Sequence, residues 1–201
     1  MFTRILLQLK VGWKMNKEKS DQHTITWKGL LFPSLENCRL IFNEGLYLLE
    51  GSFTARFRET ALSVVYQVRL DESFNLLDAN LEVVSPWNRN KLVLKITDGS
   101  WYVNGQKRDD LEKCTDIDIE LSPSTNTLPI RRCSLKVGDK VDITVAWIRI
   151  PNLQIVPVDQ SYQKVSETQY IYRSNNFQAR LEVHGSGLVK SYEGVWEEYL
   201  P

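Results

Sequence analysis

Two aspartates, two arginines and the turn between them are the residues of this chain best suited to chemistry. The run from Cys114 to Arg132 places Asp116, Asp118 and Glu120 at every second position. On an extended strand, alternate residues share a face and stand about 7 Å apart. The three carboxylates would then form one row, with Ile117, Ile119 and Leu121 on the opposite face. Like charges in a row call for cations, and Arg131 and Arg132 follow a turn rich in Pro, Ser, Thr and Asn. A strand returning from that turn would bring an Arg back opposite the acids. Four readings stay open. The first is a row of ion pairs on a wet face, contributing about 1 kcal/mol or less per pair. The second is a partly buried Asp–Arg network that fixes the Thr125–Pro129 loop. The third is a polar recognition site in which Arg forks a phosphate or a hydroxyl pair and Asp accepts sugar hydroxyls. The fourth is a pair of catalytic carboxylates flanking a glycosidic bond. Pro129 has no N–H for a ladder, so it is expected at a strand start or an edge. Thr125, Asn126 and Thr127 can bond the neighbouring backbone and hold the turn.

Aromatic residues form the second group. Trp27, Trp87, Trp101, Trp147 and Trp196 are spread along the chain, and most belong to an apolar interior. Trp and Tyr also suit the wall of an apolar pocket with a polar tip at its mouth. Trp101 and Trp147 are candidates for such a wall. Gln160-Ser161-Tyr162 follows the apolar run Ile155–Val158 and reads either as a pocket rim or as an ordinary loop. Other chemistry has little support. The chain has no Gly-rich phosphate loop and no nucleophile elbow. His23 and His184 are remote from each other, and Cys38, Cys114 and Cys133 form no CxxC pair. No metal, cofactor or catalytic residue is therefore assigned, and the thiols read as buried groups of a reducing compartment.

These groups must be positioned by strands, because the dominant apolar period is two. Leu92, Leu94 and Ile96 share one face. Val64, Tyr66, Val68 and Leu70 do the same, as do Phe177, Ala179, Leu181 and Val183. This is the pattern of antiparallel strands with one face on an apolar interior and the other wet. Val141–Ile150 is apolar on both faces and is expected to be covered twice. Asp98-Gly99, Asn104-Gly105, Val137-Gly138-Asp139 and Gly185-Ser186-Gly187 mark turns, and Asn104-Gly105 suits a two-residue hairpin. No window shows sustained helical periodicity; one short helical turn is expected around Arg108–Lys113. Tyr66–Asp71 and Phe177–Glu182 repeat an aromatic-Gln-apolar-Arg-Leu-acid order, either as two related halves or as two strands converging on one alternation. The fold expected is all-β, a single large antiparallel sheet that is rolled or closed.

Composition narrows the classes. The 201 residues carry 25 Lys+Arg and 25 Asp+Glu, for a formal net charge of zero, and 42% are hydrophobic. That balance excludes a strongly basic nucleic-acid binder as a description of the whole chain. The N-terminal apolar stretch is broken by Arg4, Gln8 and Lys10. It is too short to span a bilayer and lacks a secretory cleavage pattern. A cytoplasmic, monomeric protein is expected. Residues 1–22 read as an extension or a disordered arm, with Met15 as an alternative start, and residues 23–201 as one domain.

Longer motifs carry a family resemblance. Asp116-Ile117-Asp118, Ser122-Pro123 and the run Thr125-Asn126-Thr127-Leu128-Pro129-Ile130-Arg131-Arg132 are its core. Asp98-Gly99-Ser100-Trp101, Ala146-Trp147, Pro151-Asn152-Leu153, Gln160-Ser161-Tyr162 and Gly187-Leu188-Val189 with Tyr192 follow in the same order, and Trp27, Cys38 and Gly51 fit upstream. Over residues 24–200 the chain resembles the bacterial putative glycolipid-binding family, formerly a domain of unknown function. It departs from the family pattern at Ser124, His184 and Glu193. The resemblance implies a spiral β-roll or incomplete barrel, similar to the half-barrel lipid and lipoprotein carriers of bacterial envelopes, and a lipid or glycolipid ligand. It supplies no catalytic residues.

The function expected is non-catalytic binding of a lipid or glycolipid in an apolar cavity, with an Asp/Arg cluster at or near its mouth. Asp116, Asp118, Asn126, Arg131 and Arg132 would read the headgroup, with Trp101, Trp147, Gln160 and Tyr162 around it. Two rivals are kept. One is a hydrolase of a glycan or lipid using Asp116 and Asp118, which needs both acids in one concavity. The other is a protein-interaction module using a sheet edge or an exposed apolar patch.

Overall fold

A computed structural model describes residues 21–200; residues 1–20, including the alternative start at Met15, lie outside the described residues. The described chain forms one fifteen-stranded sheet in two meanders. The first contains β1 (Asp21–Gly29), β2 (Ser34–Asn43), β3 (Leu46–Phe57), β4 (Thr60–Asp71), β5 (Leu76–Val84), β6 (Arg89–Thr97), β7 (Ser100–Val103) and β8 (Gln106–Lys107). The second begins with β9 (Asp116–Ile119) and, after a helix α1 (Thr127–Cys133), continues through β10 (Lys140–Ile148), β11 (Ile155–Lys164), β12 (Gln169–Ser174), β13 (Phe177–Val183), β14 (Val189–Tyr192) and β15 (Trp196–Glu198). The meanders join where β1 pairs antiparallel with β15, so β8 and β9 are the outer strands of the sheet. Lys28 Nζ meets Glu197 across this seam at 2.6 Å, and the fully buried Trp27 donates its indole N–H to the Val189 carbonyl at 2.6 Å. β4 and β13, which carry the repeated sequence pattern, sit three places from β1 on opposite sides.

The period-two residues face inward as their spacing predicts. Val64, Tyr66, Val68 and Leu70, Leu92 and Leu94, and Ala179, Leu181 and Val183 are all buried. Val145 and Ala146 are buried on opposite faces of β10, as its two-sided apolar pattern requires. On the outer face, cross-strand ion pairs such as Arg39–Glu50 and Arg69–Asp78 lie directly opposite in register. The expected turns form at Asp98-Gly99 and Asn104-Gly105, whose positive φ values suit tight hairpins. A sheet this wide with one apolar face must curl to cover it. Here its two ends approach: Asn90 Nδ2 donates to the Pro151 carbonyl, and Arg108 Nη2 to the Ile155 carbonyl, each at 3.1 Å. The roll stays open, with no ladder between β8 and β9 among the described residues.

The acidic segment departs from its expected form. β9 pairs parallel with β10, the one parallel pair of the sheet. A parallel neighbour cannot be reached by a hairpin; the chain must cross back to the far end first. The crossover runs through a 3-10 turn at Ser124–Asn126 and then α1, where a returning strand was expected. Pro129 is the third residue of α1, in the first turn, where a missing N–H breaks no helical hydrogen bond. Residues 122–130 are all buried. Ser122 bonds Glu36 of β2 and Asn126 bonds Tyr162 of β11, so the crossover packs between both meanders. β9 is consequently covered on both faces, with Asp116, Ile117 and Ile119 buried together. The expected split into a wet acidic face and a dry apolar face does not form. A second 3-10 turn, at Asp109–Leu111, falls where the sequence places it.

Gly51 explains how β4 reaches across β3. Gly51 faces Cys38 of β2 and Tyr66 of β4 in register. With no side chain between them, the Tyr66 ring lies over Gly51 and donates its hydroxyl to Glu36 Oε1 of β2 at 2.6 Å. A Cβ on Gly51 would collide with the Tyr66 phenol and sit 2.7 Å from the Asn37 carbonyl oxygen. Gly51→Ala is expected to destabilise the fold by about 1–3 kcal/mol through overpacking, read from urea unfolding midpoints. An unchanged midpoint would show that Tyr66 can yield freely.

Candidate functional site

A trough of about 980 Å³ opens at the end of the roll bordered by the β1–β2, β3–β4, β12–β13 and β14–β15 connections. Two aromatic groups make its sides. Phe32 meets Phe57 and Trp196 edge-on, with ring centroids 5.5 and 5.8 Å apart. Tyr172, Tyr192 and Phe177 form the second group at 5.8–6.3 Å. Trp147 of β10 also lines the trough, and Arg149 lies 4.3 Å over its ring while pairing with Glu120 at 3.4 Å. Edge-to-face contacts of this kind hold aromatic walls in fixed orientation.

Polar groups occupy the inner part of the trough. Asp118 Oδ2 accepts from Gln160 Nε2 at 2.6 Å, and Asp118 Oδ1 receives only a long contact from Thr125 Oγ1 at 3.4 Å. The Tyr162 hydroxyl donates to Asn126 Oδ1 at 2.9 Å and contacts Gln160 Oε1 at 3.3 Å. Asn126 Nδ2 donates to the Pro123 carbonyl at 3.1 Å. The crossover thus brings Asn126 and Asp118 beside β11, which carries Gln160 and Tyr162. Removal from water pushes the Asp118 carboxyl up to about 6; the bonds from Gln160 and Thr125 oppose this, and Glu120 adds to it. Burial also pushes the Tyr162, Tyr172 and Tyr192 phenols up, so all three are neutral donors.

Of the residues singled out in the sequence, Asp118, Asn126, Trp147 and Gln160 line this trough, and Tyr162 braces Asn126 from behind. The other four lie elsewhere. Asp116 is fully buried and bound by Arg132 through Nη2 at 2.6 Å and Nε at 3.1 Å, with Thr115 Oγ1 at 2.8 Å. Asp116 and Arg132 are therefore engaged with each other, and the cation reaches the acid from a helix, not from a strand. Arg131 borders two polar clefts of about 510 and 660 Å³ that do not include Asp118. Its guanidinium lies 4.9 Å over Phe74 and donates to the Gly185 carbonyl at 3.2 Å. Trp101 is buried in the core and borders none of these cavities. The expected Asp/Arg cluster at an apolar mouth is replaced by Asp118 with amide and phenol partners inside the trough. The arginines that were expected beside it sit outside.

Sequence reasoning passed over Glu36. It is fully buried on β2, with Oε1 accepting from Tyr66 at 2.6 Å and from Ser122, a trough residue, at 2.7 Å. Oε2 has no hydrogen-bond partner. Desolvation pushes this carboxyl up to about 8 against the pull of its two donors, so it is largely protonated near neutrality. The signal available in the sequence was an acid at an inward position of an alternating strand, two residues before Cys38. The departures at Ser124, His184 and Glu193 all find partners: Ser122, Glu198 and the Arg180 N–H.

The signature described as Putative glycolipid-binding matches residues 24–198. The chain belongs to this family. The crystal structure of a DUF1089 family protein from Pseudomonas aeruginosa is similar to it, with 26% identity and a TM-score of 0.73 over 94% of this chain and 96% of that one. No curated protein matches the chain in sequence. The similar structure shares the all-β, mostly antiparallel sheet, and the family's description is that of putative glycolipid binding. Among the described residues, no helix is long and apolar enough to cross a membrane.

Glu36 gives this member of the family a characteristic pH dependence. A carboxyl held near 8 when folded keeps a proton that the unfolded chain releases above about 4.5. Stability is full below that lower value and declines as pH rises toward the upper one, by about 1.4 kcal/mol per pH unit. Asp118 adds a smaller decline of the same sign below about 6. Urea unfolding from pH 5 to pH 8 is expected to show this loss, and Glu36→Gln to remove most of the slope. An identical slope in the variant would mean that Glu36 is ionised in the fold.

Proposed function

We propose that this protein binds an amphiphile, a lipid or glycolipid, in the aromatic trough, without transforming it. The observation that carries this reading is the trough's make-up: aromatic and aliphatic walls around a few convergent polar groups, the usual character of a small-molecule site. Its volume is in the range of pockets for drug-sized ligands. The family's description supports the same chemistry. Asp118, Gln160, Asn126 and Ser122 supply hydroxyl-binding groups, and Trp147, Tyr172 and Tyr192 supply stacking faces. Asp116, Arg131, Arg132 and Trp101 serve here as scaffold. The hydrolase alternative used Asp116 and Asp118 as a pair. Arg132 and Thr115 close off Asp116, which leaves Asp118 as the strand's accessible acid and favours the binding reading.

Native mass spectrometry of protein purified from its own host is expected to show a co-purifying amphiphile. Val158 lines the trough from β11 and is half-buried, so Val158→Trp is expected to fill the trough at little cost in stability. Octyl β-glucoside binding, followed by tryptophan fluorescence, should weaken at least tenfold in this variant relative to the native chain. Equal binding in both proteins would place the ligand elsewhere.

A further inference from the structure

The trough has a direction. Polar residues reach its inner part: Ser122, Asn126 and Gln160 are 7%, 6% and 5% exposed, beside the apolar Ile119 and Trp196 at 0% and 2%. Its most exposed apolar residues, Leu31 at 68% and Phe177 at 44%, stand at the outer edge with the polar Arg58, Asn175 and Asn176. We infer that a ligand enters headgroup first, placing an uncharged, hydroxyl-rich head against Asp118, Gln160 and Asn126 and leaving its hydrocarbon tail along Leu31 and Phe177. This rests on the binding reading above and adds the ligand's orientation and the chemical class of its head.

Three observations carry the assignment. A hydrocarbon tail pushed to the bottom would cut Asp118, Gln160 and Asn126 off from water and give nothing in return, an unfavourable exchange for buried polar groups. A sugar hydroxyl gives and accepts hydrogen bonds, which the set can answer: Asp118 Oδ1 has spare acceptor capacity beside its single 3.4 Å contact, and the Gln160 and Asn126 amides each hold one N–H outside the bonds described. The charge of the inner trough disfavours anions. Asp118 and Glu120 both line it. Arg149 and the Ile150 N–H answer Glu120, whereas Asp118 has only neutral partners. The trough's own cation, Arg58, stands exposed at the outer edge against Phe57. A phosphate or carboxylate head would therefore meet like charge where it is most desolvated.

Isothermal titration of the full chain at about pH 8, above the value of about 6 held by the Asp118 carboxyl, with butyl, hexyl and octyl β-glucoside tests the orientation. A tail buried first gains roughly fourfold in affinity per methylene, about 250-fold from butyl to octyl. Headgroup-first binding is expected to gain less than about tenfold over the same series, since its tail lies on a half-exposed rim. Asp118→Leu is expected to weaken octyl glucoside at least tenfold; unchanged or tighter binding would overturn the assignment. Asp118→Asn, which keeps the shape and hydrogen bonding, should hold glucoside affinity within about threefold and guards against misfolding of the leucine variant. Octyl phosphate should bind at least tenfold more weakly than octyl glucoside, and that gap should narrow in Asp118→Asn. Tighter binding of octyl phosphate or octylammonium than of octyl glucoside would overturn the choice of head. Steep chain-length dependence would overturn the orientation while leaving amphiphile binding intact, and failure of every octyl amphiphile to bind would overturn the binding reading itself.

Discussion

Two parallel strands side by side cannot be joined by a tight turn, and the pairing of β9 with β10 imposes that constraint on a sheet otherwise built from antiparallel neighbours. The chain leaves β9 at one end and must return to the start of β10 at the other. The path it takes is over the concave face of the roll, and residues 122–130 are buried along it. Much else follows. The crossover fills space that a curled sheet would otherwise leave open. It presents Thr125 to the Ile119 N–H, so a side chain satisfies backbone that would otherwise be unpaired. It joins Glu36 in the first meander through Ser122 and Tyr162 in the second through Asn126. The trough lies at one end of the roll, with Ser122 and Asn126 of the crossover in its lining.

The strands were legible in the sequence because a half-buried strand writes its pattern locally, one residue in and one out. Leu92 and Leu94, or Leu181 and Val183, needed no knowledge of their neighbours to be placed. The crossover was illegible for the opposite reason. Seven residues of helix are too few for a 3.6-residue period to emerge, and Pro129 reads as a breaker unless its place in the first turn is known. Parallel pairing leaves no mark on β9, whose four residues alternate as an edge strand would. The acid row was therefore assigned a wet face that long-range packing removes. The same gap separated the site residues: Asp118, Asn126 and Gln160 come together because the crossover sits against β11, while Arg131 and Arg132 leave on the far side of α1. Phe177 shows the limit of periodicity itself. It keeps its expected face, yet the roll ends beside it and leaves it exposed.

Charge is distributed by depth. The exposed pairs on the outer face, such as Arg56–Glu59 and Lys140–Asp142, are of the solvated kind that contributes little. Inside, Asp116 has a full guanidinium partner, Asp118 has amides and a distant hydroxyl, and Glu36 has two hydroxyls with one oxygen left over. Burial of an acid is tolerated in three ways here: by a countercharge, by dipoles, and by keeping the proton. The first suits a fixed joint. The second leaves capacity for an incoming hydroxyl. The third makes the roll's own cohesion sensitive to alkali.

The seam between β1 and β15 carries a consequence for the order of assembly. Each meander is made of neighbours in sequence, so each can zip up locally as it is synthesised. Their junction brings together strands from the two ends of the described chain, across three register pairs. Until the ribosome has delivered Trp196–Glu198, β1 stands as an open border with its hydrogen-bonding groups bare, the kind of template on which nascent chains stick to one another. β15 is thus the strand that seals the product, and a chain that stops short of it would be a seed for clumping even with nearly all of the described sheet in place.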